Sequence, residues 1–205
     1  EKLMGHTSST ESVAVSPNGK WVATGGWDRK VLLYSLDSNG VLKLVQTFTG
    51  HNGAVTCLTF DAQSTMLASG SKDFSLRVVD IATGALKFQT MDHRDAITAV
   101  EFEATGKFVM TASMDGTIRL YDIANPTNNQ KPRFYTYGKP VNDLLAAPNG
   151  KTFFLANNGN NVLMVAADPA GRGADPRPPA RGAGRAPAHA RAGGRAGRLP
   201  GRLSG

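Results

Sequence analysis

The chain has little of what disulfide, metal or membrane chemistry requires. Among its 205 residues there is one cysteine, Cys57, so no disulfide can form within the chain. No Cys-x-x-Cys or His-x-x-x-His cluster is present to build a metal site. No apolar run approaches the ~18–20 residues of a membrane-spanning helix, and no signal peptide opens the chain. We therefore expect a soluble intracellular protein, cytoplasmic or nuclear, without a metal, a cofactor or a membrane partner.

Convincing helical periodicity is also lacking, as is a glycine-rich phosphate loop that opens a helix. What is present are short β-branched and aliphatic runs separated by Asn-Gly, Asp-Gly and Ser-Pro-Asn-Gly turns. Because Asn-Gly adopts positive φ at little steric cost, such turns suit hairpins. The pattern predicts an all-β chain of antiparallel strands joined by tight turns.

A long-range repeat organises these strands. A histidine is followed 22 residues later by an aspartate three times: His6 and Asp28, His51 and Asp73, His93 and Asp115. Three strands fit between each histidine and the end of its repeat, and a fourth fits in the connecting segment: 41–48, 85–90 and 132–137. Four strands in each period of 42–45 residues predict the blades of a β-propeller.

The polar residues of the repeat admit an enzymatic interpretation, because Ser or Thr, His and Asp also form nucleophilic triads. A catalytic constellation needs to occur once, whereas this one occurs three times at equal spacing. We therefore interpret it as structural and predict no catalytic residues and no small-molecule substrate.

The order Gly-His, strand, Ser-Pro-Asn-Gly, strand, Ser/Thr…Asp and a strand ending in aromatic-Asp resembles the WD-repeat family. The resemblance covers residues 1–167, with blades at about 4–48, 49–91 and 92–137 and a degraded partial copy at 138–167. At the position of the Trp-Asp dipeptide that names the family, the three good copies hold Tyr34-Ser35, Val79-Asp80 and Tyr121-Asp122. The implied fold is a segment of about 3.5 four-stranded blades in an incomplete ring.

The resemblance also implies a buried polar network in each blade. The histidine lies before the innermost strand, the aspartate between the second and third strands, a hydroxyl four residues before the aspartate, and an aromatic six residues after it. The matching residues are His6, Thr24, Asp28 and Tyr34, then His51, Ser69 and Asp73, then His93, Thr111, Asp115 and Tyr121. In the second copy Val79 replaces the aromatic, so its network is expected to be one member short.

The function that the resemblance implies is a non-enzymatic protein-interaction scaffold within a multi-subunit assembly. One propeller face carries the turns before the first and after the second strand, and its candidate binding residues are Trp27, Lys72, Met114, Arg94 and Asp95. Trp27 sits beside Gly26 on a turn where core packing does not require an indole. We weigh two roles for it: an exposed interface anchor, or a cover for the edge of its own blade.

Both ends of the sequence depart from the repeat. Glu1-Lys2-Leu3 aligns with Gln46-Thr47-Phe48, the end of a fourth strand, and predicts that the chain is a fragment of a longer repeat protein. Residues 168–205 hold 32 Arg, Gly, Ala or Pro among 38 and are expected to be disordered. This tail carries eight arginines and two aspartates, so residues 1–167 are almost neutral.

Two origins for the tail are considered. In the first, the tail is an arginine–glycine-rich arm that contacts RNA or acidic partners, in an RNA-associated protein of the ribosomal RNA processing type. Alternatively, it is a translated GC-rich or out-of-frame stretch. We favour the second, because the repeat pattern stops at Val165 and the tail lacks the aromatics on which bases stack.

Overall fold

The computed structural model of the protein describes residues 5–127, 133–147, 152–159 and 162–166. The tail at 168–205 and the segment Glu1-Lys2-Leu3 lie outside the described residues. The described residues form fifteen strands: β1 Thr10–Val15, β2 Trp21–Gly26, β3 Val31–Leu36, β4 Leu42–Phe48, β5 Val55–Phe60, β6 Met66–Ser71, β7 Leu76–Asp80, β8 Leu86–Thr90, β9 Ile97–Phe102, β10 Phe108–Ser113, β11 Thr117–Asp122, β12 Arg133–Thr136, β13 Val141–Ala146, β14 Thr152–Asn157 and β15 Val162–Ala166.

The strands form four antiparallel sheets, each built from consecutive strands. Three sheets have four strands and the last has three, in the orders β1-β2-β3-β4, β5-β6-β7-β8, β12-β11-β10-β9 and β13-β14-β15. These sheets are blades 1 to 4 in chain order. The all-β architecture of incomplete propeller blades predicted from the repeat is confirmed, including the fourth strand in each of the first three blades.

Neighbouring blades pack face to face through aliphatic and aromatic side chains. Blade 1 meets blade 2 through Ala23, Val31 and Leu33 against Val55 and Leu67. The next two interfaces are built alike, by cores that include Val78, Phe88, Val109 and Tyr121, then Met110, Ile118, Phe153 and Leu155. The first strands β1, β5, β9 and β13 lie side by side along one edge of the stack. Successive side chains of a strand point to opposite faces of its sheet. Each middle blade packs against a neighbour on both faces, and both of its faces are therefore apolar.

A β-bulge interrupts the first strand of every blade. The register shifts between Thr10 and Ser12, between Val55 and Cys57, between Ile97 and Ala99, and between Val141 and Asp143. A bulge re-aims the extra residue away from the ladder. In blades 2 and 3 that residue is Thr56 or Thr98, and its hydroxyl donates to the carbonyl of Ile97 or Val141 in the next blade.

The described part of the chain holds no helix with the length and apolar character needed to cross a bilayer.

Candidate functional site

The polar set of blade 3 lies at the junction of three strands. His93 precedes β9, and its Nδ1 lies 2.9 Å from Asp115 Oδ2 on the β10–β11 turn. Its Nε2 lies 2.7 Å from Thr111 Oγ1 on β10. A proton on Nδ1 satisfies both contacts, since the imidazole then donates to the carboxylate and accepts from the hydroxyl. His93 and Thr111 are both buried, so their ring and hydroxyl are closed to a substrate.

Blade 1 repeats this geometry. His6 Nδ1 lies 2.8 Å from Asp28 Oδ1, and His6 Nε2 lies 2.8 Å from Thr24 Oγ1. The backbone N–H of Thr7 donates to the second carboxylate oxygen over 3.0 Å. A Cβ at Gly26 would stand only 2.6 Å from His6 Nδ1, so the close approach of imidazole and turn requires glycine there.

Blade 2 joins its histidine and aspartate through a third residue. His51 Nδ1 lies 2.8 Å from Ser75 Oγ and 3.4 Å from Asp73 Oδ2, while Nε2 keeps its contact to Ser69 Oγ at 2.9 Å. Ser75 also hydrogen-bonds Asp73 Oδ1 over 2.5 Å. In blade 3 Thr117 occupies the same place, 2.6 Å from Asp115 Oδ1. Sequence reasoning missed Ser75 and Thr117, although a hydroxyl residue follows the aspartate by two positions in both copies.

The three aspartates remain ionised well below neutral pH. Burial raises the pKa of Asp115, but hydrogen bonds from Thr117, the Arg94 backbone and His93 outweigh it and bring the pKa to about 2. The same balance of burial against hydrogen bonds lowers the pKa of Asp28 and of Asp73. Burial lowers the pKa of His93, against the pull of Asp115. The network of blade 3 is therefore a neutral imidazole held by a carboxylate at neutral pH.

The aromatic of the blade 3 set acts through packing. Tyr34 and Tyr121 are both buried. The Tyr121 ring lies 5.6 Å from the Phe88 ring in blade 2, between centroids, whereas its hydroxyl forms no well-placed hydrogen bond despite the nearby Thr111 and Thr90. The loss of Tyr at Val79 thus removes ring volume between blades, and the donor expected from the sequence plays no part in blade 3.

An exposed cluster joins blades 1 and 2 on the face that carries the histidine turns. Trp27 is 50% exposed, and its indole N–H donates to Glu11. The Lys72 ammonium stands 4.0 Å from the centroid of the indole ring and 4.0 Å from Glu11 Oε1. Trp27 therefore does not cover the edge of its own blade alone: it spans to the turn of the next one. Glu11, which positions the indole, was not predicted as part of this face.

The remaining predicted surface residues belong to blade 3. The backbone N–H of Arg94 donates to Asp115 over 3.0 Å, and Ser113 Oγ donates to the Asp95 carbonyl over 3.0 Å. The N–H of Met114 bonds the Ala96 carbonyl over 3.0 Å. The side chains of Arg94, Asp95 and Met114 are exposed. Their turns are fixed by the polar network beneath them, which leaves the side chains free for contacts. Among the described residues, no group of three or more His, Cys, Asp or Glu side chains could hold a metal ion.

Comparison with known families agrees with this architecture. The model of the WD domain, G-beta repeat, matches residues 1–35, 42–80 and 86–122, more than half of the chain. The protein belongs to the WD40-repeat family. Members of this family are generally non-enzymatic scaffolds that bind other proteins.

Curated relatives include proteins named for ribosomal RNA processing, ribosome biogenesis and the small ribosomal subunit. Ribosomal RNA-processing protein 9 of Saccharomyces cerevisiae is 38% identical over 38% of this chain and 13% of its own length. The ribosome biogenesis protein WDR12 homolog of rice is 32% identical over 40% of this chain and 24% of its length. The small ribosomal subunit protein RACK1y of rice is 31% identical over 42% of this chain and 25% of its length. The matches thus span a quarter or less of these relatives.

Proposed function

We propose that this protein is a non-enzymatic interaction scaffold that binds a protein partner on the face carrying Trp27. The observation that supports this is the exposed indole fixed between Glu11 and Lys72. An aromatic held in one orientation loses little conformational entropy on binding, and Trp and Arg are enriched among the residues that dominate interface energies.

The three histidine sets serve this function indirectly. Their aspartates accept the backbone N–H groups of Thr7, Asn52 and Arg94, which begin the loops of this face. Each loop is thereby tied to a buried network, so its side chains vary without loss of the backbone position. On this proposal the Ser/Thr–His–Asp sets hold the binding surface in place and take no part in bond cleavage.

The names of the relatives favour assembly with ribosome-forming complexes, and hence a nuclear or cytoplasmic location, as the setting of this scaffold. RNA association through the arginine-rich segment 168–205 is the second candidate function. Eight arginines in that segment supply the phosphate-binding charge, whereas residues 1–167 are almost neutral.

The test begins with affinity capture by the full chain and by its Trp27→Ala variant, followed by calorimetry with the partner identified. Trp27→Ala should weaken binding by about 2 kcal/mol or more at unchanged Tm. Lys20→Ala, at an exposed site on the β1–β2 turn, is the control and should bind like the parent. Unchanged affinity in Trp27→Ala would move the interface elsewhere.

A salt titration of RNA binding separates the second candidate. If the tail binds RNA, affinity should fall steeply with salt in the full chain and disappear when residues 168–205 are deleted. Equal RNA binding by both proteins would reject that role for the tail.

A further inference from the structure

The three good repeats differ at the position six residues after the aspartate, which holds Tyr34, Val79 or Tyr121. At the interface of blades 2 and 3, Tyr121 fills this position and its ring stacks near Phe88. At the interface of blades 1 and 2, Val79 stands there instead. The valine side chain is shorter than the phenol ring, so space is left beside it.

The opposite wall of the same interface has also lost its aromatic. In blade 2, Phe88 on β8 is the cross-strand partner of Val78 on β7. In blade 1 the residue equivalent to Val78 is Leu33 on β3, and its cross-strand partner on β4 is Gln46. Both members of the aromatic pair between blades 2 and 3 are therefore replaced between blades 1 and 2, Tyr121 by Val79 and Phe88 by Gln46.

A cavity of about 230 Å³ occupies the vacated space. Its apolar wall is formed by Val31, Phe48, Leu67, Val79 and Leu86. Its polar lining includes Gln46, His51, Ser69 and Arg77. Both ring nitrogens of His51 already contact serine hydroxyls, and Arg77 donates to Gln89 Oε1 over 2.8 Å. The Gln46 amide lies against Gly84, where any added side chain would collide with it.

We propose that this cavity is a binding site for one phenol or indole group. An apolar cavity of roughly 150 Å³ accepts a benzene ring, so the larger volume here suits a ring that carries a polar substituent. The aliphatic walls would hold the ring, and the Gln46 amide supplies both an acceptor and donors for the O–H or N–H. The group comes from a small aromatic molecule or from a Tyr or Trp side chain of a protein partner.

The test uses the full chain, ¹³C-methyl NMR and calorimetry. Indole and p-cresol are the free probes, and the capped peptide acetyl-Ala-Trp-Ala-amide presents the side chain. We expect saturable shifts of the methyl groups of Val31, Leu67 and Val79, with Val109 in the next interface unaffected. Shifts elsewhere, or none, would overturn the proposal. Binding of the peptide together with indole identifies a partner's side chain as the source, and binding of the free probes alone identifies a small molecule.

Two variants sharpen the result. Val79→Tyr fills the cavity from within and should weaken indole binding by about tenfold or more. Tyr121→Val opens the corresponding space beside Phe88 and should create a second site with shifts at Val109. Undiminished binding to a folded Val79→Tyr protein would reject the site. If either variant fails to fold, the shift map of the parent protein decides alone.

Discussion

At the scale of single residues, the buried histidines are held on both ring nitrogens. His93 contacts a carboxylate and a hydroxyl, and His51 contacts two serine hydroxyls with a carboxylate at 3.4 Å. Buried polar groups of this kind stabilise a fold only when every member has a partner, because an orphaned group has lost its water without compensation. The sets are therefore sensitive to the removal of any one member.

Replacement of His51 by alanine should destabilise the protein by roughly 1–3 kcal/mol, because Ser69, Ser75 and Asp73 lose a shared partner. Urea unfolding followed by fluorescence measures the change. Lys43→Ala, at an exposed site on β4, is the control and should change stability by less than about 0.5 kcal/mol. A His51→Ala protein as stable as the parent would show that the network contributes nothing to folding.

Glu101 introduces a pH dependence opposite to that of the aspartates. Burial raises its pKa to about 7, with the charge of Asp143 adding to the effect and a hydrogen bond from Thr59 opposing it. As the pH rises, the unfolded state releases the Glu101 proton around its pKa of 4.5, whereas the folded state keeps this proton to a higher pH. The stabilising effect of this proton is complete below pH 4.5 and is lost as the pH rises through 7.

Glu101→Gln should abolish this loss. Between pH 4.5 and 8 the free energy of unfolding of the variant should therefore rise relative to that of the parent by on the order of 1–3 kcal/mol. Thermal unfolding at five pH values measures the difference. Parallel profiles for the parent and Glu101→Gln would contradict the raised pKa.

At the scale of elements, the turns between the second and third strands share a left-handed residue directly after the aspartate. The residues are Arg29, Phe74 and Gly116, with φ of 66°, 71° and 79°. Only glycine adopts this conformation freely, and other residues pay roughly 1–2 kcal/mol. In blade 2 the aspartate imposes the geometry of the turn, because its carboxylate accepts hydrogen bonds from the N–H groups of Asn52 and Ser75. Phe74 is therefore held in a strained backbone.

The strain predicts an inverted order of alanine and glycine at position 74. Phe74→Gly should be more stable than Phe74→Ala by about 1 kcal/mol, although both lose the same ring. At the exposed strand position Thr47, glycine should instead be less stable than alanine by about 0.5–1 kcal/mol. Urea midpoints of the four variants provide the measurement. If the alanine variant has the higher urea midpoint at both positions, the backbone at Phe74 carries no strain.

At the scale of the whole molecule, the blades are joined by apolar packing and by hydroxyl groups that bond across the interfaces. Thr98 on the bulge of β9 donates to the Val141 carbonyl at the start of β13 over 2.6 Å. Thr56 makes the equivalent bond to the Ile97 carbonyl. In blade 1 Ser12 reaches the Val55 carbonyl over 3.4 Å, since the bulge residue there is Glu11 and it holds Trp27 instead.

Thr98→Val keeps the side-chain shape but leaves the Val141 carbonyl without this donor, so it should cost about 1–2 kcal/mol. Hydrogen exchange should quicken first at the amides of β13, because the variant loses the hydrogen bond that ties the start of β13 to blade 3. Thr98→Ser retains the hydroxyl and should restore the slow exchange. Equal exchange in all three proteins would show that the bond does not couple the blades.

Much of the architecture could be predicted from the sequence because the signals for strands and turns are local and recur in every repeat. The strand runs, the Asn-Gly turns and the fixed interval from histidine to aspartate all lie within one repeat, and each copy checks the others. The interval between His93 and Asp115 came from the repeat spacing, and the network that joins them to Thr111 was expected from the resemblance to the WD-repeat family. The sequence placed Trp27 on a turn but left open whether its indole is exposed or covers the edge of its own blade.

Tertiary structure decided whatever depends on distances between different repeats. The contact of Trp27 with Lys72, the burial of Glu101 near Asp143, and the cavity between Gln46 and Val79 each join two or three blades. Spacing within a repeat does not fix which side chains meet across an interface, because that depends on how far each blade turns and stacks on the next. The sequence thus determined the blades and their polar networks, and packing between blades determined the surface cluster, the shifted carboxyl group and the cavity.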